Sequence, residues 1–183
     1  MIKKINKKHQ MRDKSERYRY NIFLIGFMGS GKTTVGKLLA QEYNLKFIDM
    51  DQKLEKEFQM PISKYFEKFG ENAFRDAESN LLKSIVKKEN LVIATGGGIV
   101  ERKENQKILQ KQNLVFHLLT NIETGKSRLS KEEIDERPLW KDQESLQKLF
   151  DRRQGLYKNC SEYEISVIEY DAKQVVKMIK EQL

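Results

Sequence analysis

Ile22-Phe23-Leu24-Ile25-Gly26-Phe27-Met28-Gly29-Ser30-Gly31-Lys32-Thr33 is the stretch that decides the fold of this chain. Its last eight residues fill every fixed position of G-x-x-x-x-G-K-[ST], and the four apolar residues ahead of them have the length and character of a buried strand. Val35, Leu38 and Leu39 then recur at helical spacing, so strand, glycine-rich turn and helix follow one another as the motif demands. Polyphosphate oxygens need a concave array of backbone N–H donors, which forms where the chain comes close without a β-carbon and adopts positive φ; Gly26, Gly29 and Gly31 supply that freedom. The helix from Lys32 points its unpaired N–H groups at the same spot, Lys32 adds a mobile charge for the β- and γ-phosphates, and the Thr33 hydroxyl suits magnesium. The implied nucleoside-triphosphate site comprises Gly29, Ser30, Gly31, Lys32 and Thr33, with Thr34 as a second hydroxyl contact.

The rest of the chain narrows the class. Its 183 residues suit one domain with a full core. With 38% hydrophobic and 34% charged residues, and no run approaching the ~18 apolar residues of a membrane span, no membrane partner is expected. The single cysteine, Cys160, has no partner for a disulfide and no neighbouring Cys or His pair for zinc, which points to a reducing, cytoplasmic compartment. The net charge of +8 is concentrated: residues 1–20 hold eight basic and two acidic side chains, leaving the body at about +2. That segment reads as a basic arm, flexible or loosely docked, without the apolar core of a signal peptide. No nucleic-acid partner is expected, since lysine-rich tails are commonly only solvating.

After the arm, short apolar runs alternate with longer segments of helical periodicity, the pattern of a parallel sheet wrapped by helices. Strands are predicted near 21–26, 45–49, 91–95, 114–119 and 163–168. Helices are predicted near 32–43, 51–57, 61–69, 71–89, 101–111, 122–129, 144–159 and 171–182. The fold class is therefore α/β, one domain over 21–183. In such sheets ligands gather outside the carboxyl ends of the strands. The phosphate loop, Asp49-Met50-Asp51 and Gly96-Gly97-Gly98 should thus meet at one crevice, with the aperiodic stretch 131–142 as a mobile lid.

Five further motifs carry a resemblance. Asp49-Met50-Asp51, Phe74-Arg75-Asp76-Ala77-Glu78, Gly96-Gly97-Gly98-Ile99-Val100, Arg137-Pro138-Leu139 and Arg153-Gln154-Gly155-Leu156-Tyr157 stand in order and at suitable spacing from about Asn21 to the C-terminus. As a set they resemble the shikimate kinase family. The resemblance implies a three-layer α/β/α fold with a central five-stranded parallel sheet, of the nucleoside-monophosphate-kinase-like P-loop type, with a lid and a helical substrate-binding subdomain. It also implies phosphoryl transfer from ATP to the 3-hydroxyl of shikimate, in the biosynthesis of chorismate and the aromatic amino acids, with Mg2+ as cofactor, by a monomer whose partners are its two small-molecule substrates.

The roles the resemblance implies make physical sense residue by residue. Arg75 and Arg153 would grip the carboxylate of a hydroxylated acid, because guanidinium forks match its planar oxygens. Asp51 would accept from the attacking hydroxyl, as base or as orienter, while the Gly96, Gly97 and Gly98 backbone approaches the ring. Asp49, alternating with Asp51 on an extended segment, would hold magnesium through water, beside Thr33. Glu78, three residues after Arg75, would orient that arginine. Arg137 would close over the transferred phosphoryl group and Arg128 would stack on the adenine. Trp140 and Gly155 depart from the family's usual aliphatic residue and proline, which touches lid packing and helix stiffness and removes no charged group. His117, inside an apolar strand, reads as a core residue. Two competing readings are a gluconate- or nucleotide-type small-molecule kinase and a catalytically silent nucleotide-binding homologue acting through its arm.

Overall fold

The computed structural model describes residues 2–4, 20–130, 134 and 142–183. Its described elements run β1 (Ile2–Lys4), β2 (Ile22–Ile25), α1 (Lys32–Tyr43), β3 (Lys46–Asp49), α2 (Met50–Phe58), α3 (Ile62–Ile85) and β4 (Leu91–Ala94). A single 3-10 turn (Ile99–Glu101) leads into α4 (Lys103–Leu109), β5 (Val115–Leu119), α5 (Ile122–Ser127), α6 (Gln143–Cys160), β6 (Tyr163–Ser166) and α7 (Ala172–Lys180). The sheet order is β1-β6-β5-β2-β4-β3. All pairings are parallel except β1 with β6. The expected five parallel strands are thus present, with β2 and its glycine-rich turn at the centre, where connections leave to both sides and a crevice forms.

Alternation along the strands builds two cores, one per face. Phe23, Ile25, Ile93 and Val115 pack with α2, α3, α4 and α6 residues such as Met50, Leu82, Leu109 and Tyr157. Ile22, Leu24, Val92, Phe116 and Ile165 pack with Val35 and Leu39 of α1 and Val175, Val176 and Ile179 of α7. These strands, covered on both faces, read as continuous apolar runs. Gly36 lets α1 lie close to the sheet: a β-carbon there would come within 2.4 Å of the Phe47 ring. The phosphate loop at the N-terminus of α1 is thereby fixed to its strand.

One difference from expectation has a local cause. The arm supplies a sixth strand, Ile2–Lys4 paired antiparallel with Tyr163–Ser166; three residues carry too little alternation to be seen, but the otherwise open edge of β6 offers unpaired N–H and C=O groups. As expected from helices at 61–69 and 71–89, α3 is broken at Gly70 (φ 81, ψ 163). A β-carbon on Gly70 would meet nothing within 4 Å, so its backbone, not crowding, sets the bend.

Leu82 lies in the last turn of α3 and is fully buried. Leu82→Ala is expected to lower unfolding free energy by ~2–5 kcal/mol, measured by urea titration, because α3 is clamped between sheet and α4 and has little room to collapse. A loss below about 1 kcal/mol would mean that the helix relaxes freely.

Candidate active site

The phosphate loop is held open by glycine geometry. Gly26, Gly29 and Gly31 all have positive φ (145°, 74° and 85°). A β-carbon on Gly26 would lie 2.7 Å from the Leu118 carbonyl oxygen, and one on Gly29 would lie 2.2 Å from that of Gly125. Only bare backbone therefore fits between β5 and α5. Inside the loop the Lys32 ammonium donates to the carbonyls of Gly26 and Phe27, both at 2.8 Å, and to Ser30 Oγ at 3.3 Å. Ser30 is fully buried, whereas Thr34 points to solvent. Thr33 Oγ1 donates to Asp49 Oδ2 at 2.6 Å. This hydroxyl and carboxylate are hard oxygen donors and fit magnesium.

Asp49 and Asp51 do not alternate on one strand as expected. Asp49 ends β3 and caps α2, accepting from Gln52 N at 3.2 Å, while Asp51 is already in the first turn of that helix. They consequently face different partners. Asp49 meets Thr33; Asp51 meets the glycine turn after β4, where a β-carbon on Gly96 would stand 2.6 Å from Asp51 Oδ1 and 2.7 Å from Glu78 Oε1.

That turn also receives both arginines. The Arg75 guanidinium lies flat over Gly98, whose β-carbon would overlap it at 2.2 Å. Arg153 approaches Gly97, with one terminal nitrogen 3.7 Å from the place of its β-carbon, and the same place is 3.7 Å from the Gly26 carbonyl oxygen of the phosphate loop. Arg75 donates to Glu78 Oε2 at 2.9 Å and to Glu71 Oε1 at 3.0 and 3.2 Å. Burial works against its charge, but Glu78 and then Glu71 outweigh burial and hold its pKa above the ordinary value. Arg153 donates through Nε to Glu101 Oε1 at 2.7 Å. The Tyr157 hydroxyl donates to the Gly97 carbonyl at 2.5 Å. Glu101 and Tyr157 had no assigned role in the sequence; a carboxylate three residues past a glycine turn carries no motif signal.

Arg128 is fastened beside the loop. Its guanidinium donates to the carbonyls of Val167 (2.5 Å) and Tyr170 (3.2 Å) and lies 3.8 Å from the place of a Gly31 β-carbon. His117 sits in β5, buried, with Nδ1 3.4 Å from Glu164 Oε1 and its ring 4.9 Å from that of Tyr157. Burial first, and the Lys32 charge second, push its pKa down to about 3, so it is neutral. The aromatics of α2 and α3 form one cluster leading to the site: Phe58 stacks on Tyr65 at 3.8 Å, and Phe66 meets Phe74 edge-on at 4.8 Å, one residue before Arg75. Phe69 remains half exposed. Arg137, Pro138, Leu139 and Trp140, with most of the expected lid, lie outside the described residues.

A phosphate loop at the carboxyl edge of a five-stranded parallel sheet, abutted by a second pocket with two buried arginines, defines a P-loop phosphotransferase of the nucleoside-monophosphate-kinase-like class. Comparison narrows this. A family model described as shikimate kinase matches residues 28–183. A shikimate kinase of Caldicellulosiruptor bescii is 43% identical over 149 residues, 80% of this chain and 85% of the relative. One from Lactococcus lactis subsp. cremoris is 40% identical over 161 residues, covering 88% and 96%. Among solved structures, shikimate kinase from Acinetobacter baumannii in complex with shikimate superposes with a TM-score of 0.83 at 32% identity, covering 89% of this chain and 92% of that one. The chain belongs to the shikimate kinase family.

Glu78 is a carboxylate sealed beneath the glycine turn. It is 1% exposed, and among the described residues its Oε1 has no hydrogen-bond partner. Desolvation raises its pKa from 4.5 to about 7; the charge and hydrogen bond of Arg75 oppose the rise, and Asp51 adds to it. Between those values the native protein keeps a proton that the unfolded chain has released, so this contribution to stability is complete below about pH 4.5 and is lost as pH climbs through about 7. The melting temperature of the wild type relative to Glu78→Gln should accordingly fall as the pH is raised from about 5 to about 8. Parallel curves for the two proteins would show that Glu78 ionises like a surface carboxylate.

Proposed function

We propose that Lys32, Asp51 and Arg137 carry the chemistry by which this chain moves the γ-phosphoryl group of ATP to the 3-hydroxyl of shikimate, giving ADP and shikimate 3-phosphate. The observation that carries the reading is the abutment of two half-sites: Gly97 lies against the Gly26 carbonyl on one side and Arg153 on the other. An anionic, hydroxylated ring held by Arg75 and Arg153 over Gly96, Gly97 and Gly98 would present a hydroxyl to Asp51, next to the end of a triphosphate cradled by Gly29, Ser30, Gly31, Lys32 and Thr33. Asp51 accepts the hydrogen bond of that hydroxyl and aligns it for in-line attack. The transition state for such transfer is loose, with charge spread over the equatorial oxygens, so positioning and cations do most of the work.

Thr33 and Asp49 would hold magnesium. Among the described residues no cluster of three or more His, Cys, Asp or Glu side chains forms a metal cage, which suits an ion that keeps waters and is shared with phosphates. When bound it neutralises charge on the phosphate oxygens. Lys32 adds a second cation from the loop, Arg128 flanks the nucleotide where an adenine would stack, and Thr34, being exposed, stands at the margin of the site. We assign Arg137 to a lid over 131–142 that closes on the phosphoryl group and excludes water. Residues 21–183 form the kinase domain, residues 1–20 a basic arm. No described helix is long and apolar enough to cross a membrane, and the enzyme is taken to act as a cytoplasmic monomer.

The deciding experiment is ADP release from magnesium-ATP with shikimate, quinate, gluconate and nucleoside monophosphates as acceptors. Turnover with shikimate and little with the others is expected; intact ATP binding without turnover on any acceptor would mean a catalytically silent homologue. Lys32→Met is expected to lose about a hundredfold or more in kcat while keeping its melting temperature, as removal of one preorganised charge typically does. Hydrogen bonds to charged groups are worth ~1.5–3 kcal/mol, so Arg153→Ala should raise the KM for shikimate about 10- to 100-fold. An unchanged value would remove Arg153 from the carboxylate site.

A further inference from the structure

Arg153 is a cation buried to 6% exposure, and a buried guanidinium needs a fixed counter-charge to keep its place. The carboxylate in contact with it is Glu101, whose Oε1 takes Arg153 Nε and the exposed Arg152 guanidinium, each at 2.7 Å. Glu101 belongs to the 3-10 turn that continues Gly96, Gly97 and Gly98, and its own N–H donates to the Gly98 carbonyl at 2.9 Å. One turn further along α6 from Arg153, Tyr157 reaches Gly97. The helix is therefore latched to the glycine turn at two points on one face, spaced i and i+4.

The Glu101 latch acts at the Nε edge of the guanidinium. That contact turns the terminal nitrogens toward Gly97, where one of them is found. A planar fork recognises a carboxylate only within a narrow range of orientations, so fixing one edge determines what the other can do. Burial pushes the Glu101 carboxyl upward, but the hydrogen bonds from Arg153 and Arg152 outweigh it and hold the group below its usual range, so it stays charged.

We propose that Glu101 is a positioning residue for the acid substrate: by holding Arg153 at Nε against the glycine turn, it presents the guanidinium to the substrate carboxylate in binding geometry. The proposal rests on the carboxylate role of Arg153 given above. Glu101 acts through Arg153, not as a catalytic residue.

The test is a double-mutant cycle on steady-state kinetics. Glu101→Ala is expected to raise the KM for shikimate about tenfold, with kcat and the KM for ATP within about twofold of wild type, as loss of a charge-assisted hydrogen bond implies. Glu101→Gln, which keeps an acceptor oxygen, should recover part of the loss, and it carries the test should the alanine variant fail to fold. In an Arg153→Ala background, Glu101→Ala should add less than about twofold, since its action passes through the missing side chain. A KM for shikimate unmoved by Glu101→Ala or Glu101→Gln, beside a raised one in Arg153→Ala, overturns this proposal alone; so does full additivity of the two substitutions. An unmoved KM in Arg153→Ala overturns the carboxylate role of Arg153 and this proposal with it.

Discussion

Three missing β-carbons organise this site. Among the described residues Asp51, Glu78, Arg75, Arg153 and the wall of the phosphate loop converge on Gly96, Gly97 and Gly98; a β-carbon on Gly96 or Gly98 would collide with its neighbours, whereas one on Gly97 would stand in ordinary contact, 3.7 Å from Arg153 and from the Gly26 carbonyl. The turn is short and pinned, with Ile99 N and Glu101 N bonded back to the Gly96 and Gly98 carbonyls. It is the common surface of the two proposed half-sites, so an acceptor bound there as proposed would lie beside the triphosphate without any large movement of the sheet. Effective molarity from such placement can supply several kcal/mol of a barrier.

The second constraint is electrostatic. Two guanidinium groups are buried next to each other's pockets, and the chain answers with Glu78 for Arg75 and Glu101 for Arg153, one from each helix or turn that carries the backbone. The two solutions are not equivalent. Glu101 is partly exposed, uses one oxygen for both its arginines and stays ionised, whereas Glu78 is sealed in, leaves one oxygen without a described partner and faces Asp51. Two carboxylates beside one glycine, one of them sealed from water and the other half-buried, repel each other unless one holds a proton.

The sheet was legible in the sequence because its strands are covered on both faces and so read as apolar runs between helical periods. The break at Gly70 was legible for a similar reason: aromatic spacing stops there and restarts with Phe74. The phosphate loop and Arg75, Gly98 and Arg153 were marked by motif. What periodicity could not show was anything set by three-dimensional convergence. Asp49 and Asp51 look alike in the sequence and separate only because a helix starts between them. Glu101 looks like any surface glutamate, and its partners are more than fifty residues away. Ile2–Lys4 joins the sheet because an edge was open, not because its own sequence demands a strand.

The cations of the described site are all lysine or arginine, and His117 explains how that is kept so. It lies in β5 under the loop, close enough to Lys32 for that charge to weigh on it, and a protonated imidazole there would repel the ammonium that the Gly26 and Phe27 carbonyls hold in place. Burial beside Tyr157 keeps the ring neutral through the physiological range. Arg75 is held in its charged form by Glu78 and Glu71, and the carboxylates around the glycine turn are Asp51, Glu78 and Glu101. Among those carboxylates Glu78, the most deeply enclosed, is the one whose pKa is pushed up to about 7, and it is in contact with Arg75, the arginine proposed to grip the acceptor.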